Sequence, residues 1–214
     1  MLRPNPFALL VFTTVSAFAS PLVTPAPTSL YIIGWPATID TLAMGFQLTS
    51  PASNVLIEAA VNHTGTQPDT QFFLMNQIGA GTTTANQLGA ISVQLPPSSA
   101  LQFIPLFSGL NLAAGDYYVV VGLPPFTITG DQSEIGYNDA PTTTGPGAAY
   151  LGSFATAAVN APYLPASPNF SPMSHNLTIR VSTVEASAAT PEPATVWFVS
   201  AAFTLVALVR RRVA

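Results

Sequence analysis

Prolines recur along the middle of the chain, and their spacing constrains the fold more than any other feature. Proline lacks a backbone N–H, so it breaks helices and central strands and favours turns and strand ends. The segments between these prolines have lengths that suit short strands better than long helices. We therefore expect short strands joined by turns. The prolines concerned are Pro51, Pro68, Pro96, Pro97, Pro105, Pro124, Pro125 and Pro141.

The hydrophobic pattern between the prolines is that of β-strands. Every second side chain is aliphatic in residues 91–95 and 177–182, as in a strand that buries one face. Residues 117–121 are apolar throughout, which predicts a strand covered on both faces. Short strands with this punctuation predict an all-β domain, a two-sheet antiparallel sandwich or a jelly-roll-like fold, over residues 29–184. Further predicted strands are residues 30–33, 45–49, 55–61, 71–75, 126–129 and 149–154.

Four stretches lack this pattern. Residues 20–28 form a proline-rich N-terminal segment, and residues 130–140 contain several acidic residues next to a glycine. Residues 155–172 contain four prolines, which predict a long surface loop. Residues 185–193 are small and polar, and we interpret them as a linker.

Charge excludes one class of partner. The chain has no lysine, and between Ser20 and Pro193 it has nine acids and one arginine, an excess of eight negative charges. No basic patch is available to neutralise phosphates, so we expect no nucleic-acid binding. The chain also has no cysteine, so an exported form must be stabilised by its apolar core without disulfides.

Residues 1–19 have the pattern of a secretory signal peptide. Arg3 provides the positive start, residues 7–18 are apolar, and Ala17-Phe18-Ala19 is a small-x-small cleavage pattern. We predict cleavage by signal peptidase after Ala19. The alternative is a signal anchor that is not cut, although the apolar core is short for a membrane span.

The C-terminal residues combine three features in a fixed order. Pro191-Glu192-Pro193 is followed by an uncharged apolar run and then by Arg210-Arg211-Arg212. As a helix the run would be about 24 Å long, a marginal span, and the arginines would stay on the cytoplasmic side. We therefore predict a transmembrane helix and Arg-rich tail over residues 194–214. An ordinary tail anchor would have the same apolar run and basic end.

These three features together resemble the PEP-CTERM sorting signal of exported proteins in Gram-negative bacteria, a signal also catalogued as an ice-binding-protein C-terminal domain. The resemblance implies processing by an exosortase near the Pro-Glu-Pro motif, an inner-membrane intermediate, and delivery to the cell surface or outside the cell. Residues 46–57 and 112–120 look like strand pairs common in β-sandwich ectodomains that precede such tails. That second resemblance implies a fold type and no ligand.

The acidic stretch is the one candidate metal site. Asp131, Glu134, Asn138 and Asp139 offer three carboxylates and an amide, which are oxygen ligands that calcium accepts. Their spacing differs from that of an EF-hand loop, so we favour a plain acidic loop and keep calcium binding as the alternative. No other cofactor is expected.

Aromatic and histidine residues provide the other candidates. Trp35 and Tyr137 are the side chains we would assign to carbohydrate contact, although aromatics in β domains often lie in the core. His63 and His175 stand in no metal-ligand spacing, and we interpret both as surface residues. No nucleophile motif such as Gly-x-Ser-x-Gly is present.

The sequence thus predicts a non-enzymatic, exported surface or extracellular-matrix protein. Proteins with such tails are associated with exopolysaccharide and biofilm, and exopolysaccharide is the partner that the resemblance implies. The opposing hypothesis is a secreted module that binds or hydrolyses polysaccharide through residues 131–139. Ice binding is disfavoured, because regularly spaced threonine arrays are missing.

Overall fold

Two antiparallel sheets face each other across one apolar core. The computed structural model describes residues 19–25, 31–35, 40–64, 70–94, 101–122, 132–157, 163–167 and 169–184. The strands are β1 (Ala19–Thr24), β2 (Tyr31–Trp35), β3 (Asp40–Leu48), β4 (Ala52–Thr64), β5 (Thr70–Met75), β6 (Gln87–Val93), β7 (Gln102–Leu112), β8 (Gly115–Gly122), β9 (Gln132–Asn138), β10 (Thr143–Thr144), β11 (Ala148–Ala157), β12 (Ser171–Pro172), β13 (Asn176–Leu177) and β14 (Ile179–Val184). Two short 3-10 helices lie at Thr84–Asn86 and Leu164–Ala166.

The strands form a first sheet of eight and a second sheet of six. The first follows the order β10-β1-β14-β4-β9-β13, with β2 paired to β9 and β7 paired to β4. The second follows the order β12-β11-β3-β8-β5-β6. Every pairing in the described residues is antiparallel. The predicted all-β sandwich of two antiparallel sheets is therefore confirmed.

The core lies between the inner faces of the sheets. Phe46 and Phe72 of the second sheet and Ile57 and Ile135 of the first are fully buried there. Val119, Val120 and Val121 are each 0% exposed, which confirms that β8 is covered on both faces. The outer cover of the second sheet is a smaller apolar cluster that includes Tyr163 and Phe170.

That cover corrects the prediction of a surface loop over residues 155–172. Strand β11 continues to Ala157, and Leu164 and Pro165 of the second 3-10 helix are buried. Edge-to-face contact between Phe73 and Tyr163, with ring centroids 5.8 Å apart, holds this segment on the sheet. Of the prolines described there, Pro165 is buried, whereas Pro172 is exposed and pairs with Phe154 as part of β12.

Three further strands were not predicted from the sequence. Pro105 lies inside β7, although we expected it between strands. Among the described residues β7 pairs only with β4, and the register shifts beside Pro105, so the missing N–H is tolerated there. Strand β9 occupies most of the predicted acidic loop at residues 130–140. Strand β1 lies in the segment interpreted only as proline-rich.

The chain divides into a compact unit, Ala19–Val184, and a second unit of residues 1–18 and 185–214. The second unit lies outside the described residues, and so does the predicted strand at residues 126–129. The same holds for the predicted signal peptide, the linker and the transmembrane helix. Within the described residues, no helix has the length and apolar character to cross a membrane.

Candidate functional site

A partly exposed cluster of an aromatic, an imidazole and a carboxylate lies where β9 meets β13. His175 Nδ1 is 2.5 Å from Asp139 Oδ1, and the side chains are 41% and 61% exposed, respectively. The Tyr137 ring lies against the imidazole, with centroids 4.7 Å apart and planes at 50°. We call Tyr137, Asp139 and His175 the Tyr137 site.

Strand pairing explains why these three side chains meet. Tyr137 is the Cα partner of Leu177, and Asn138 is the partner of Asn176. Asp139 directly follows β9 and His175 directly precedes β13, so the antiparallel register places them side by side. The site therefore depends on a two-residue ladder between segments far apart in the sequence.

A chain of hydrogen bonds lies beneath the site. Leu177 N–H donates to Ser153 Oγ at 2.8 Å, and Ser153 Oγ is 2.7 Å from the Tyr150 hydroxyl. Tyr150 donates to Asn176 Oδ1 at 2.9 Å, so Ser153 supplies the hydrogen to Tyr150. Asn176 Nδ2 then donates to the carbonyl of Ala140 at 2.9 Å. These bonds join β11 of the second sheet to the backbone on both sides of the Tyr137 site.

A β-bulge in β11 aligns the two hydroxyl residues of this chain. Tyr150 pairs with Phe46, but Gly152 pairs with Gly45, so Leu151 is the extra residue. The positive φ of Gly152, +119°, allows this step. Without the bulge, residues three apart in a strand would point to opposite faces. The bulge instead turns both hydroxyls toward Asn176.

Burial raises the pKa of Tyr150 above its ordinary value, and the hydrogen bond with Ser153 opposes this shift. The phenol therefore remains a neutral donor at physiological pH. A neutral donor suits the amide oxygen of Asn176. Ionisation of Tyr150 therefore does not disturb the hydrogen-bond chain near neutral pH.

The structure describes only part of the predicted calcium site. Asp131 lies outside the described residues, and the side chain of Glu134 is likewise not described. Glu134 and Asn138 are four positions apart in extended β9, about 13 Å along the backbone. Asn138 is 1% exposed, and its Oδ1 accepts the N–H of Ala140 at 2.7 Å. In the described part of the chain, no three His, Cys, Asp or Glu residues gather as a metal site. Calcium binding stays a prediction.

Trp35 and Tyr137 do not lie side by side. In the β2–β9 ladder, Trp35 pairs with Ser133, whereas Tyr137 pairs with Tyr31. The Trp35 side chain is outside the described residues, as is the entire sorting motif, Pro191, Glu192, Pro193, Arg210, Arg211 and Arg212. Tyr137 is thus the one predicted carbohydrate-contact side chain that the structure describes.

Sequence reasoning did not connect Ser153 or Asn176 with a site, and it did not pair His175 with Asp139 or Tyr150 with Asn176. Each partner lies too far along the chain for a local motif: 36 residues separate His175 from Asp139, and 26 separate Tyr150 from Asn176. The sequence indicated only the neighbourhood of Tyr137 and Asp139 as a candidate site, because of its acidic residues. The interpretation of His175 as a surface residue agrees with its exposure.

Comparison with known proteins adds little to this description. No protein-family model matches the chain, and no curated protein matches it. Among solved structures, an active-site mutant of a family two carbohydrate esterase from Clostridium thermocellum is similar at a TM-score of 0.29 and 13% identity. The match covers 65% of this chain and 34% of the esterase chain. At this TM-score the likeness carries no argument about fold or function.

Proposed function

We propose that this protein is a non-enzymatic, exported β-sandwich that binds polysaccharide at the cell surface or in the extracellular matrix. The Tyr137 site is the proposed contact surface. The observation that carries the proposal is the exposed Asp139–His175 pair beside the Tyr137 ring. Export and sorting rest on the signal-peptide pattern and on the resemblance of the C-terminal residues to a PEP-CTERM signal. Signal peptidase and exosortase are the proposed processing partners.

The side chains of the site suit a neutral sugar. A tyrosine ring offers an apolar face to the C–H groups of a sugar. Asp139 accepts hydrogen bonds from sugar hydroxyls, and His175 contributes a ring nitrogen. The excess of negative charge on the exported part disfavours strongly anionic polysaccharides. We therefore favour neutral or weakly charged glycans as ligands.

The environment of the Ser153 hydroxyl, which lies beneath the Tyr137 site, fits binding without cleavage. Ser153 is 2% exposed, and its Oγ accepts from Leu177 N–H while it hydrogen-bonds to Tyr150. The Ser153 hydroxyl therefore hydrogen-bonds within the fold, whereas a nucleophile would be accessible to solvent. The alternative is a polysaccharide hydrolase that uses Asp139 with a second carboxylate.

The test is binding of the purified protein to a panel of insoluble and soluble polysaccharides, including the exopolysaccharide of its own host. Loss of an aromatic anchor costs on the order of 2 kcal/mol, so we expect Tyr137→Ala to weaken binding by about 30-fold. Asp139→Asn should also weaken it. Asp116→Asn is the matched control, because Asp116 is an exposed carboxylate that contacts Gln47 on a different strand pair.

Two outcomes would overturn the proposal. If no polysaccharide is retained, or if Tyr137→Ala and Asp139→Asn bind like Asp116→Asn, the site is not a glycan surface. Release of reducing ends from any bound polysaccharide would instead support the hydrolase. Fractionation and intact mass of the protein from its host test the export part separately, since a processed protein outside the inner membrane is expected.

A further inference from the structure

The peptide bond at which we predict signal-peptidase cleavage, between Ala19 and Ser20, lies within the first strand of the folded domain. Strand β1 begins at Ala19, and its first two residues are the Cα partners of Val184 and Thr183 in β14. The Thr183 hydroxyl also donates to the carbonyl of Ser20 at 3.5 Å. The side chains of Ala19 and Ser20 are exposed, so it is the pairing of their backbone that holds this bond in the sheet.

The residues that follow the bond fix β1 in place. Val23 is 0% exposed and Leu22 is 9% exposed, so both enter the apolar core. Gly145 N–H donates to the carbonyl of Leu22 at 2.9 Å. A Cβ at Gly145 would overlap the carbonyl oxygen of Pro21, so only glycine allows the two backbones to approach this closely. Release of β1 from its neighbours therefore exposes two apolar side chains and breaks backbone hydrogen bonds.

A protease requires a chain that can leave the fold and enter its cleft. A bond inside a strand ladder is cut only in those molecules whose strand has opened, so the rate of cleavage follows the population of the open form. Opening of β1 is costly, because it removes Leu22 and Val23 from the core. The folded domain is thus a poor substrate for cleavage between Ala19 and Ser20.

The strand neighbours of β1 are synthesised long after β1 itself. Thr24 and its β10 partner Thr143 are 119 residues apart, and Ser20 and its β14 partner Thr183 are 163 residues apart. At a synthesis rate of about 5–20 residues per second, β14 is complete on the order of 10–30 s after β1. During this interval the strand that pairs with Ala19 and Ser20 in the described residues does not yet exist, so their bond is accessible.

We propose that docking of β1 closes the signal-peptidase site, so that the order of cleavage and folding decides whether the N-terminal segment is removed. Cleavage adds water across the amide bond, which leaves a carboxylate on Ala19 and an amine on Ser20, and the peptidase provides the nucleophile. A chain that is cut first folds into a domain that starts at Ser20. A chain that folds first keeps its N-terminal segment as a signal anchor. This inference rests on the export part of the proposed function.

The test varies the time at which signal peptidase meets the full-length chain. The chain is synthesised without cells in the presence of detergent micelles, and purified signal peptidase is added either before synthesis or after synthesis has stopped. Because the chain has no cysteine, its folding needs no oxidant. Intact mass identifies the product that starts at Ser20. We expect cleavage of the wild type to be at least about tenfold slower with late enzyme than with early enzyme.

Two variants separate the docking of β1 from other causes of slow cleavage. Val23→Asp places a charge at the core position of β1, and Gly145→Ala blocks the close approach of the neighbouring backbone. Neither variant changes residues 17–20. With late enzyme, both should be cut within about threefold of their rates with early enzyme. Ser108→Asp is the matched control, because it adds the same charge at an exposed position of β7, which does not pair with β1 in the described residues.

The outcomes distinguish this inference from the export proposal. Slow late cleavage of the wild type and of Ser108→Asp, relieved in Val23→Asp or Gly145→Ala, supports closure by β1. Equal rates for the wild type with early and late enzyme would overturn the inference and leave export intact. Slow late cleavage in both β1 variants, or equal late rates for them and Ser108→Asp, would also overturn it. Absence of cleavage with early enzyme would overturn both the inference and the predicted signal peptide.

Discussion

Arg180 on β14 lies directly opposite Glu58 on β4, and the two side chains form a two-pronged ion pair. Arg180 Nε is 2.5 Å from Glu58 Oε2, and Nη2 is 2.9 Å from Oε1. The guanidinium carbon also lies 4.1 Å from the Phe103 ring centroid. Hydrogen bonding to Glu58 raises the pKa of Arg180 above its ordinary value. The one arginine of the predicted exported part is thus used to neutralise a carboxylate within the sheet.

Removing this arginine should destabilise the domain. The Glu58 side chain is 13% exposed, so Arg180→Met leaves a largely buried charge without its partner. Because Arg180 itself is 41% exposed, we expect a loss of about 1–2 kcal/mol in the free energy of unfolding, less than for a fully buried pair. Denaturant unfolding measures this. The double variant Glu58→Gln/Arg180→Met should recover part of the loss, and an equal or larger loss would contradict the argument.

Gly145→Ala should loosen strand β1. The added methyl group would overlap the Pro21 carbonyl oxygen, which belongs to a backbone that cannot rotate away. We expect the free energy of unfolding to fall by about 2 kcal/mol or more, which a lower thermal midpoint would report. Gly79→Ala is the control: Gly79 has a φ of +93° and open space, so alanine there costs about 1 kcal/mol of backbone strain alone. Equal effects would show that the close approach at Gly145 is unimportant.

Ser153→Ala should disturb the support of the Tyr137 site. The change leaves Leu177 N–H without its acceptor in a buried region, at a cost of about 1–3 kcal/mol in the free energy of unfolding. Removing the exposed hydroxyl in Ser108→Ala should change that free energy by less than about 0.5 kcal/mol. Urea titration of both variants checks this. Amide hydrogen exchange at Leu177 should accelerate in Ser153→Ala only, and unchanged protection there would rule out the hydrogen-bond chain.

Alkaline pH should lower stability through the tyrosines. Burial is the main cause that raises the pKa of Tyr117, Tyr118, Tyr150 and Tyr163 in the folded state. Unfolded tyrosine ionises near pH 10, so above that pH the folded protein binds more protons than the unfolded chain. The contribution of these tyrosines to the free energy of unfolding is therefore fully present below about pH 10 and is lost as pH rises through the folded pKa values. Absorbance titration of the phenolates and unfolding between pH 8 and about 12 measure the two effects.

A matched variant separates Tyr150 from the other tyrosines. Tyr150→Phe keeps the ring but removes the ionisable group, so its stability should decline less steeply above about pH 10 than that of the wild type. The variant should be less stable at neutral pH, because the hydrogen bond to Asn176 is lost. An unchanged alkaline slope would show that Tyr150 does not contribute to the linkage.

The hydrophobic pattern predicted those strands whose burial can be read from their own residues alone. Residues 91–95 and 117–121 were predicted as strands, and β6 and β8 occupy most of these positions. These predictions succeeded because alternating and continuous apolar residues indicate directly which faces of a strand are buried. The same reasoning missed β7 and β9. Pro105 fits in β7 because, among the described residues, that strand pairs only with β4. The acids of β9 resemble a loop when their ladder partners are unknown.

The sequence alone determined the all-β class, the negative charge of the domain and the predicted signals at both ends, because composition, periodicity and short motifs are local properties. Only the tertiary structure decided that His175 meets Asp139, that Tyr150 and Ser153 support them, and that β1 lies between β10 and β14. These relationships join residues far apart in the chain, and strand register selects them from many possible pairings. Register is a cooperative property of two whole sheets, so no single stretch of sequence contains it.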